Sequence, residues 1–314
     1  MYKLHPNHPV GASLPPRNEF DEDAYLQLYP DIAQGICLGT IASGWQHFVA
    51  AGFAEGRPWF SKPDPLLGVN QTIAADDGMF VGNGIHYFDV GESALHGIET
   101  ALFAARRQKS TIKRILDLPC GHGRVMRFLR KAFPDAQLTA CDLNQSGVAF
   151  CAATFGALPV VSRETIEDIP LPGGFDLIWC GSLLTHLSEE KSASFLRLFQ
   201  RLLGHGGILV FTLHGRHYAR EVAAGKIPHG VSEPQLAELF SRYRQKGFGY
   251  VDYPDHSGYG LSLASPSFVT AQLVDHPGWR ILSYREAGWD NCQDVVCLQK
   301  QFCSDQAEAV ATRK

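Results

Sequence analysis

The sequence has no excess of basic residues and no long hydrophobic run. Lysine and arginine total 28 against 32 aspartates and glutamates, which leaves a formal net charge of −4. Proteins that coat nucleic acid through charge alone carry a clear basic excess, so this balance disfavours a nucleic-acid partner. No run approaches the ~18–20 apolar residues of a membrane-spanning helix, and the N-terminal segment contains no apolar signal region. These absences predict a cytoplasmic protein without a membrane span.

Cysteines at metal-binding spacing are also missing. None of the eight cysteines forms a C-x-x-C pair, and Cys292, Cys297 and Cys303 lie close together without histidines at a matching spacing. We therefore expect no metal site. The cysteines are expected to be buried thiols that pack as small apolar side chains in a reducing compartment.

The chain does contain enough apolar material for a sizeable core. Hydrophobic residues make up 45% of the 314 residues and charged residues 19%, which excludes wholesale disorder, and the length suggests ~2 domains. Apolar residues at helical spacing around Tyr25 and Phe48 predict a helical module too small to fold alone. The predicted divisions are a flexible tail at 1–19, the helical module at 20–60, a linker at 61–84, a main domain at 85–303 and a tail at 304–314.

Strands and helices alternate along the main domain, which predicts a doubly wound α/β fold with a mostly parallel, seven-strand sheet. The predicted strands are 114–118, 137–142, 158–161, 175–180, 208–213, 279–284 and 293–299. Only residues 286–292 separate the last two strands, which is too short for a parallel crossover, so the last strand should be antiparallel. Ser93 and Ser188 are predicted to cap two helices. Residues 215–265 are predicted to form an insertion that faces the substrate.

A ligand-binding pattern follows the first strand of this sheet. In open α/β sheets the ligand lies outside the carboxyl ends of the strands, and here Asp117 is followed by a loop that contains Gly121 and Gly123. Both glycines allow a tight turn and a close approach of the backbone to a ligand. Asp142 ends the second strand, 21 residues after Gly121, where a carboxylate can accept hydrogen bonds from ribose hydroxyls.

Two nucleoside ligands compete for this loop. A dinucleotide site requires G-x-G-x-x-G, but Pro119 and Met126 occupy the first and third glycine positions. Asp117 would also repel a pyrophosphate, by ~1 kcal/mol per charge pair in water and by more when partly buried. The same carboxylate suits S-adenosylmethionine (SAM), which carries a sulfonium and an ammonium and no phosphate. The sequence therefore predicts SAM rather than a nicotinamide dinucleotide.

The segment from about Tyr87 to Leu298 resembles the class I, seven-strand SAM-dependent methyltransferases of the Rossmann-like kind, in a bacterial subgroup that acts on small molecules or glycans. The matching motifs are ILDLPCGHGR, the strand end ACD, FDLIWCGSLLTHL and GGILVFTLHGR. The sequence departs from the family pattern at Pro119, where the family often has glycine.

The resemblance implies which residues bind the cofactor. The implied contacts are Asp117, Cys120, Gly121, His122, Gly123, Tyr87 and Gly91 for the methionine part, Asp142 for the ribose, Leu143, Thr165 and Ile166 for the adenine, and Cys180 and Gly181 near the sulfonium. The family does not fix the acceptor, and we expect a small molecule or a sugar.

Methyl transfer needs the acceptor placed in line with the sulfur, and a hydroxyl acceptor also needs a base. His186 follows the fourth predicted strand and His214 ends the fifth, so both imidazoles can reach one cleft, and both are candidate bases. The N/D-P-P-Y/F motif of amino-methylating DNA enzymes is absent after the fourth strand. A non-catalytic SAM-binding or scaffold protein of the same fold remains the alternative.

The N-terminal module has a pattern of its own. Y-L-x-x-Y-P-D-I followed by H-F-x-x-x-G-x-x-E-G-R resembles a short module attached to bacterial cell-surface polysaccharide enzymes. The resemblance implies a role in surface-polysaccharide biosynthesis and a protein partner for the module.

Overall fold

The computed structural model describes residues 3–5, 13–17, 19–61, 66–274 and 278–301. The predicted tail at 304–314 and Cys303 lie outside these residues. Internal contacts divide the chain into two units, Met1–Gly68 and Val69–Lys314.

The first unit has three short helices and a two-stranded antiparallel sheet around an aromatic core. Its elements are β1 (Lys3–His5), α1 (Glu22–Leu28), α2 (Pro30–Cys37), α3 (Gly44–His47), a π-helical turn (Phe48–Gly52) and β2 (Trp59–Ser61), which pairs with β1. Asp21 caps α1 by accepting a hydrogen bond from the backbone of Ala24. The core consists of Phe20, Tyr25, Phe48 and Trp59, whose large rings supply most of the apolar area that so short a segment can bury.

The second unit alternates helices and strands. Its elements are α4 (Ile85–Ala104), β3 (Arg114–Asp117), α5 (Met126–Ala132), β4 (Gln137–Asp142), α6 (Gln145–Phe155), β5 (Leu158–Val161), β6 (Phe175–Cys180), α7 (Glu189–Leu202), β7 (Leu203–Leu213), α8 (Arg216–Ala223), α9 (Glu233–Lys246), β8 (Phe248–Tyr253), β9 (His256–Ala264), α10 (Pro266–Val274), β10 (Trp279–Trp289) and β11 (Gln293–Lys300). Short 3₁₀ helices span Lys109–Thr111, Ile166–Asp168 and Leu184–His186.

Seven strands form one sheet in the order β10-β11-β7-β6-β3-β4-β5. Neighbouring strands from β7 through β5 are parallel, whereas β11 runs antiparallel to both β7 and β10. The predicted fold class, including the antiparallel last strand, is confirmed. The carboxyl ends of β3, β4, β6 and β7 therefore lie along the same edge of the sheet.

Two helices that flank the sheet begin at side-chain caps, α6 at Asn144 and α7 at Ser188. Ser188 caps α7 as predicted, because its hydroxyl accepts a hydrogen bond from the backbone of Lys191. The predicted cap at Ser93 is wrong. α4 begins eight residues earlier, at Ile85, whose backbone N–H donates to the side chain of Asn83. Ser93 lies inside the helix because the apolar face of α4 starts at Tyr87, before the segment on which the prediction was based.

The segment that precedes α4 packs on the second unit. The guanidinium of the buried Arg127 donates to the backbone carbonyls of Asn70, at 2.8 Å, and Thr72, at 3.2 Å. Residues 69–84, which the sequence assigned to the linker, thus contribute buried contacts to this unit.

Helices α8 and α9 and the β8–β9 hairpin fill the predicted insertion at 215–265. They bury a small apolar cluster of their own: Tyr218, Ala219, Val222, Val231, Leu239, Val251, Leu261 and Leu263. Over the residues that the structure describes, no helix combines the length and the apolar character needed to cross a bilayer.

Candidate active site

The loop after β3 brings the two predicted carboxylates to one place. Gly121 and Gly123 have φ angles of +49° and +79°, in the left-handed region that favours glycine. The backbone N–H of Gly121 donates to Oδ2 of Asp142 at 2.8 Å, and the backbone N–H of Asn144 donates to Oδ1 at 2.9 Å. Each oxygen of Asp142 keeps a lone pair for a further donor. The loop after β3 is thus hydrogen-bonded to the end of β4.

Asp117 is the most unusual group in the site. Its side chain is 1% exposed, and neither carboxylate oxygen has a hydrogen-bond partner among the described residues. Burial raises the pKa of Asp117 well above its usual value, and the charge of Asp142 raises it further, whereas the guanidinium of Arg124 opposes the shift. A buried carboxylate without partners is costly. A cationic group with N–H donors would satisfy both oxygens, and the ammonium of SAM is such a group.

The residues predicted for the adenosine part lie beside Asp142. Leu143 is 54% exposed, so an apolar surface next to the carboxylate remains free to cover a ring. Thr165 directly precedes the 3₁₀ helix Ile166–Asp168, and the side chain of Ile166 is buried in the main core cluster. Ile166 thus contributes chiefly to packing in this structure.

Cys120 and His122 complete the loop. The backbone N–H of Cys120 donates to the carbonyl of Cys141 on β4, and a hydrogen bond to Cys151 together with burial raises the pKa of its thiol. Nε2 of His122 lies 3.2 Å from the hydroxyl of Ser146 and 3.3 Å from a carboxylate oxygen of Asp76. The loop is therefore tied to β4, to α6 and to the segment that precedes α4.

Tyr87 and Gly91 lie on the buried face of α4. The hydroxyl of Tyr87 donates to Oδ2 of Asp77 at 2.7 Å and accepts from Arg127 at 3.2 Å. A Cβ atom on Gly91 would lie 2.4 Å from the ring of Phe128, so this glycine permits the close packing of α4 on α5. Asp77 and Arg127 were not predicted, because Asp77 lay in a presumed linker and Arg127 in an ordinary helical pattern.

Cys180 ends β6 beside the β3 strand that carries Asp117, and Gly181 follows it. Cys180 is fully buried, and burial, with a contribution from the charge of Asp117, raises its pKa. A Cβ atom on Gly181 would lie 2.9 Å from the ring of Trp179.

A closed polar network follows these residues and was not predicted. The backbone N–H of Ser182 donates to the hydroxyl of Thr212 at 2.8 Å, Thr212 donates to the side chain of Gln293 at 2.6 Å, and Gln293 donates back to the hydroxyl of Ser182 at 3.1 Å. It joins the ends of β6 and β7 to the start of β11. Such a network depends on residues up to 111 positions apart, and each residue alone carries no sequence signal.

The two candidate bases lie side by side beyond these strand ends. The ring centroids of His186 and His214 are 5.9 Å apart. Nδ1 of His186 lies 2.9 Å from the carbonyl oxygen of Gly260 and 3.1 Å from the hydroxyl of Tyr253. Burial lowers the pKa of His186, so the ring is neutral near pH 7.

His214 is much more enclosed than His186. Its ring stacks on Tyr218 with centroids 3.6 Å apart, and its Nδ1 is buried without a partner among the described residues. Burial and the neighbouring His186 lower the pKa of His214 to about 3. The sequence predicted both rings to share a cleft, and the structure brings them together, but it leaves only His186 partly accessible.

Tyrosines of the insertion pack around His186. The ring of Tyr259 lies 5.0 Å from that of His186 and 5.8 Å from that of Tyr253. Burial raises the pKa of Tyr259, and the charge of Asp142 adds to the shift. The insertion thus places an aromatic wall beside the carboxyl ends of the strands, on the side where an acceptor would bind.

Comparison with known proteins finds a family match and several relatives for part of the chain. Residues 115–207 match the family described as "Methyltransferase domain". The chain is 32% identical over 118 residues to the malonyl-[acyl-carrier protein] O-methyltransferase of Bacillus cytotoxicus. This alignment covers 37% of this chain and 41% of that protein. It is also 32% identical over 154 residues to the fatty-acid O-methyltransferase of Mycolicibacterium smegmatis. That alignment covers 48% of this chain and 54% of that protein.

The chain thus spans about half the length of the curated relatives it matches. A solved structure of a SAM-dependent methyltransferase from Clostridium acetobutylicum aligns over 67% of this chain and 92% of that chain, with 14% identity and a TM-score of 0.46. The family match over residues 115–207 agrees with the methyltransferase class predicted from the sequence.

Proposed function

We propose that the second unit transfers the methyl group of SAM to a small-molecule acceptor. The observation that carries this proposal is the buried carboxylate of Asp117, which has no partner among the described residues and lies beside the Gly121–Asp142 turn. A phosphate-bearing ligand would be repelled at this position, whereas a cationic one would be attracted.

In this proposal, different residues of the site bind different parts of the cofactor. SAM supplies an activated methyl group, so the protein has to orient the two reactants and exclude water. Asp117 accepts hydrogen bonds from the ammonium of the methionine part. Asp142 accepts hydrogen bonds from the ribose hydroxyls with its remaining lone pairs. Leu143 covers the adenine. Cys180 and Gly181 bound the methyl end with small side chains that leave room for an acceptor.

His186 is the proposed base. It is the more accessible of the two rings, and its lowered pKa keeps it neutral and able to take a proton near pH 7. Nδ1 of His214 is buried, and the pKa of this ring is about 3. These properties suit a neutral ring that packs on Tyr218 better than a group that transfers protons.

The relatives support an oxygen acceptor, because both are named as O-methyltransferases. The role in surface-polysaccharide biosynthesis, the protein partner of the N-terminal module and the cytoplasmic location remain predictions from the sequence. The alternative of a non-catalytic SAM-binding protein predicts cofactor binding without a methylated product.

Calorimetric titration of SAM tests the proposal. Replacing Asp117 by asparagine removes one charge-assisted interaction, and we expect binding to weaken by roughly 10- to 100-fold, as for the loss of ~1.5–3 kcal/mol. Asp135→Asn, at an exposed turn before β4, is the matched control and should bind like the unaltered chain. Equal affinity of all three proteins, or no binding to the unaltered chain, would contradict the proposal.

A further inference from the structure

The turn after β6 contains a backbone conformation that serine rarely adopts. Ser182 has a φ angle of +56°, in the left-handed region. A Cβ atom crowds the backbone there, so glycine populates the region freely, whereas a serine needs support from its surroundings. Ser182 lies two positions after Cys180, the last residue of β6. A disfavoured conformation is therefore found at the edge of the sheet where open α/β folds bind their ligands.

The hydrogen-bonded ring of Ser182, Thr212 and Gln293, here called the Ser182 network, supplies this support. The backbone N–H of Ser182 donates to the hydroxyl of Thr212 at 2.8 Å, and the hydroxyl of Ser182 accepts from Nε2 of Gln293 at 3.1 Å. Thr212 donates to Oε1 of Gln293 at 2.6 Å, which closes the ring. Ser182 is thus held at its backbone and at its side chain, and a change of its φ angle would break at least one of these bonds.

The other two members of the Ser182 network belong to inner strands of the sheet. Thr212 is fully buried on β7, where it pairs with Val295 of β11, and Gln293 begins β11. Both strands have a neighbour on each side in the seven-strand order. The conformation of Ser182 is therefore set by the sheet and not by the loop that contains it.

Rotation about φ of Ser182 would change the direction of the chain at this turn. The preceding residue, Gly181, is confined on one side by Trp179, because a Cβ atom on this glycine would lie 2.9 Å from the indole ring. The 3₁₀ helix Leu184–His186 follows the turn. A rotation would displace Gly181 or His186 relative to the other, and these are the residues assigned above to the methyl end and to the base.

We propose that the Ser182 network is a positioning device for methyl transfer. It holds Ser182 in the left-handed conformation and thereby fixes Gly181 and His186 relative to each other. Its three members act through these neighbours and need not touch either reactant. A misplacement of ~1 Å at a distance from the reacting atoms can lower a rate by ~100-fold. The inference rests on the proposed methyl transfer and adds to it a group of residues that set the rate.

Cofactor affinity should not depend on the Ser182 network. The carboxylates proposed to bind SAM, Asp117 and Asp142, end β3 and β4, and none of the hydrogen bonds in the network involves either strand. A loss of the network should therefore lower the rate of transfer at saturating SAM and leave the dissociation constant of SAM unchanged. A residue needed only for folding would instead lower the unfolding temperature without slowing the protein that remains folded.

Glycine at position 182 tests the inference, because glycine adopts a left-handed conformation without support. The rate is measured as label transferred from methyl-tritiated SAM to the small-molecule fraction of a bacterial extract. Thr212→Val keeps the branched side chain and removes the hydroxyl, so the rate should fall by about 10-fold, the effect of losing one hydrogen bond. In a chain that also carries Ser182→Gly, the same Thr212→Val change should cost less than about 3-fold, because the two changes act on one feature.

Arg106→Gly is the matched control for relief of backbone strain. Arg106 is exposed after the end of α4 and has a φ angle of +54°, close to that of Ser182. Arg106→Gly should not restore the rate of Thr212→Val. Gln293→Met opens the ring at a partly exposed member and should show the same dependence on residue 182, which keeps the test open if Thr212→Val fails to fold.

The outcomes separate this inference from the proposed function. An equal cost of Thr212→Val with serine and with glycine at position 182 would overturn the inference while methyl transfer stands. Restoration by Arg106→Gly, or a calorimetric SAM affinity that falls in parallel with the rate, would overturn it as well. An unaltered chain that binds SAM but transfers no label would contradict the proposed function itself.

Discussion

At the scale of single residues, Asp117 opposes the stability of the ligand-free chain. Its folded-state pKa is raised, so the folded chain holds a proton that the unfolded chain has released. Stability from this site therefore falls as pH rises from the normal carboxyl pKa of ~3.9 towards the raised value. Asp117→Asn should increase the free energy of unfolding by ~1–3 kcal/mol at pH 7 and by less at pH 5. Denaturant unfolding without cofactor measures this, and a variant less stable than the unaltered chain at pH 7 would contradict it.

His214 makes the opposite contribution to pH dependence. Its folded-state pKa is about 3, below the ~6.5 of an unfolded histidine, so acid protonates the unfolded chain first. Stability is thus lost as pH falls below ~6.5, by about 2 kcal/mol at pH 5. His214→Phe keeps an aromatic ring against Tyr218 and removes this titration, so it should lose less stability between pH 7 and pH 5. Exposed His96→Gln is the control, and equal losses in both variants would refute the expectation.

Individual residues also show where prediction from sequence ends. That Asp117, Gly121 and Asp142 lie at the same edge of the sheet was predictable, because all three belong to one β-α-β unit with parallel strands. The tautomer of His186 was not, because it depends on Gly260, 74 positions away in a different hairpin. The cap at Ser93 failed for a local reason, since the helix already begins upstream at Ile85, whose backbone N–H donates to the side chain of Asn83.

At the scale of elements, the contact between α4 and α5 is the tightest test of the packing. A Cβ on Gly91 would meet the ring of Phe128 at 2.4 Å and the carbonyl of Arg124 at 2.5 Å, so Gly91→Ala forces the helices apart. We expect a loss of ~1–3 kcal/mol in the free energy of unfolding. Gly97→Ala lies on the same helix, where its Cβ would make only an ordinary 3.5 Å contact with Val295. It should be neutral or stabilise by up to ~1 kcal/mol. Equal effects would show that α4 packs differently.

The sheet itself was predicted well at this scale. Alternating apolar strands and helices gave seven strands, and the short connection before β11 gave its antiparallel direction. The β8–β9 hairpin was not predicted, because the glycine- and tyrosine-rich insertion has neither a clear helical nor a clear strand period. Its role in the site follows only from the contacts of Tyr253 and Gly260 with His186.

At the scale of the whole molecule, the residues proposed to bind SAM all belong to the second unit. A fragment of residues 69–314 should therefore bind SAM with the affinity of the full chain. A fragment of 85–314 should bind more weakly or unfold at a lower temperature, because it lacks Asn70, Thr72 and Asp77, which bond to Arg127 and Tyr87. Thermal unfolding and calorimetry of the two fragments measure this. Equal SAM affinity and equal unfolding temperature of the two fragments would show that residues 69–84 act only as a linker.

The central claim is that the buried carboxyl group of Asp117 at the end of β3 selects a cationic methyl donor, and a crystal structure of the chain with bound SAM tests it most directly. The account predicts the ammonium of SAM within hydrogen-bond distance of Asp117, and the ribose hydroxyls on Asp142. A cofactor bound with its methionine part away from Asp117, or found only elsewhere on the surface, would contradict it.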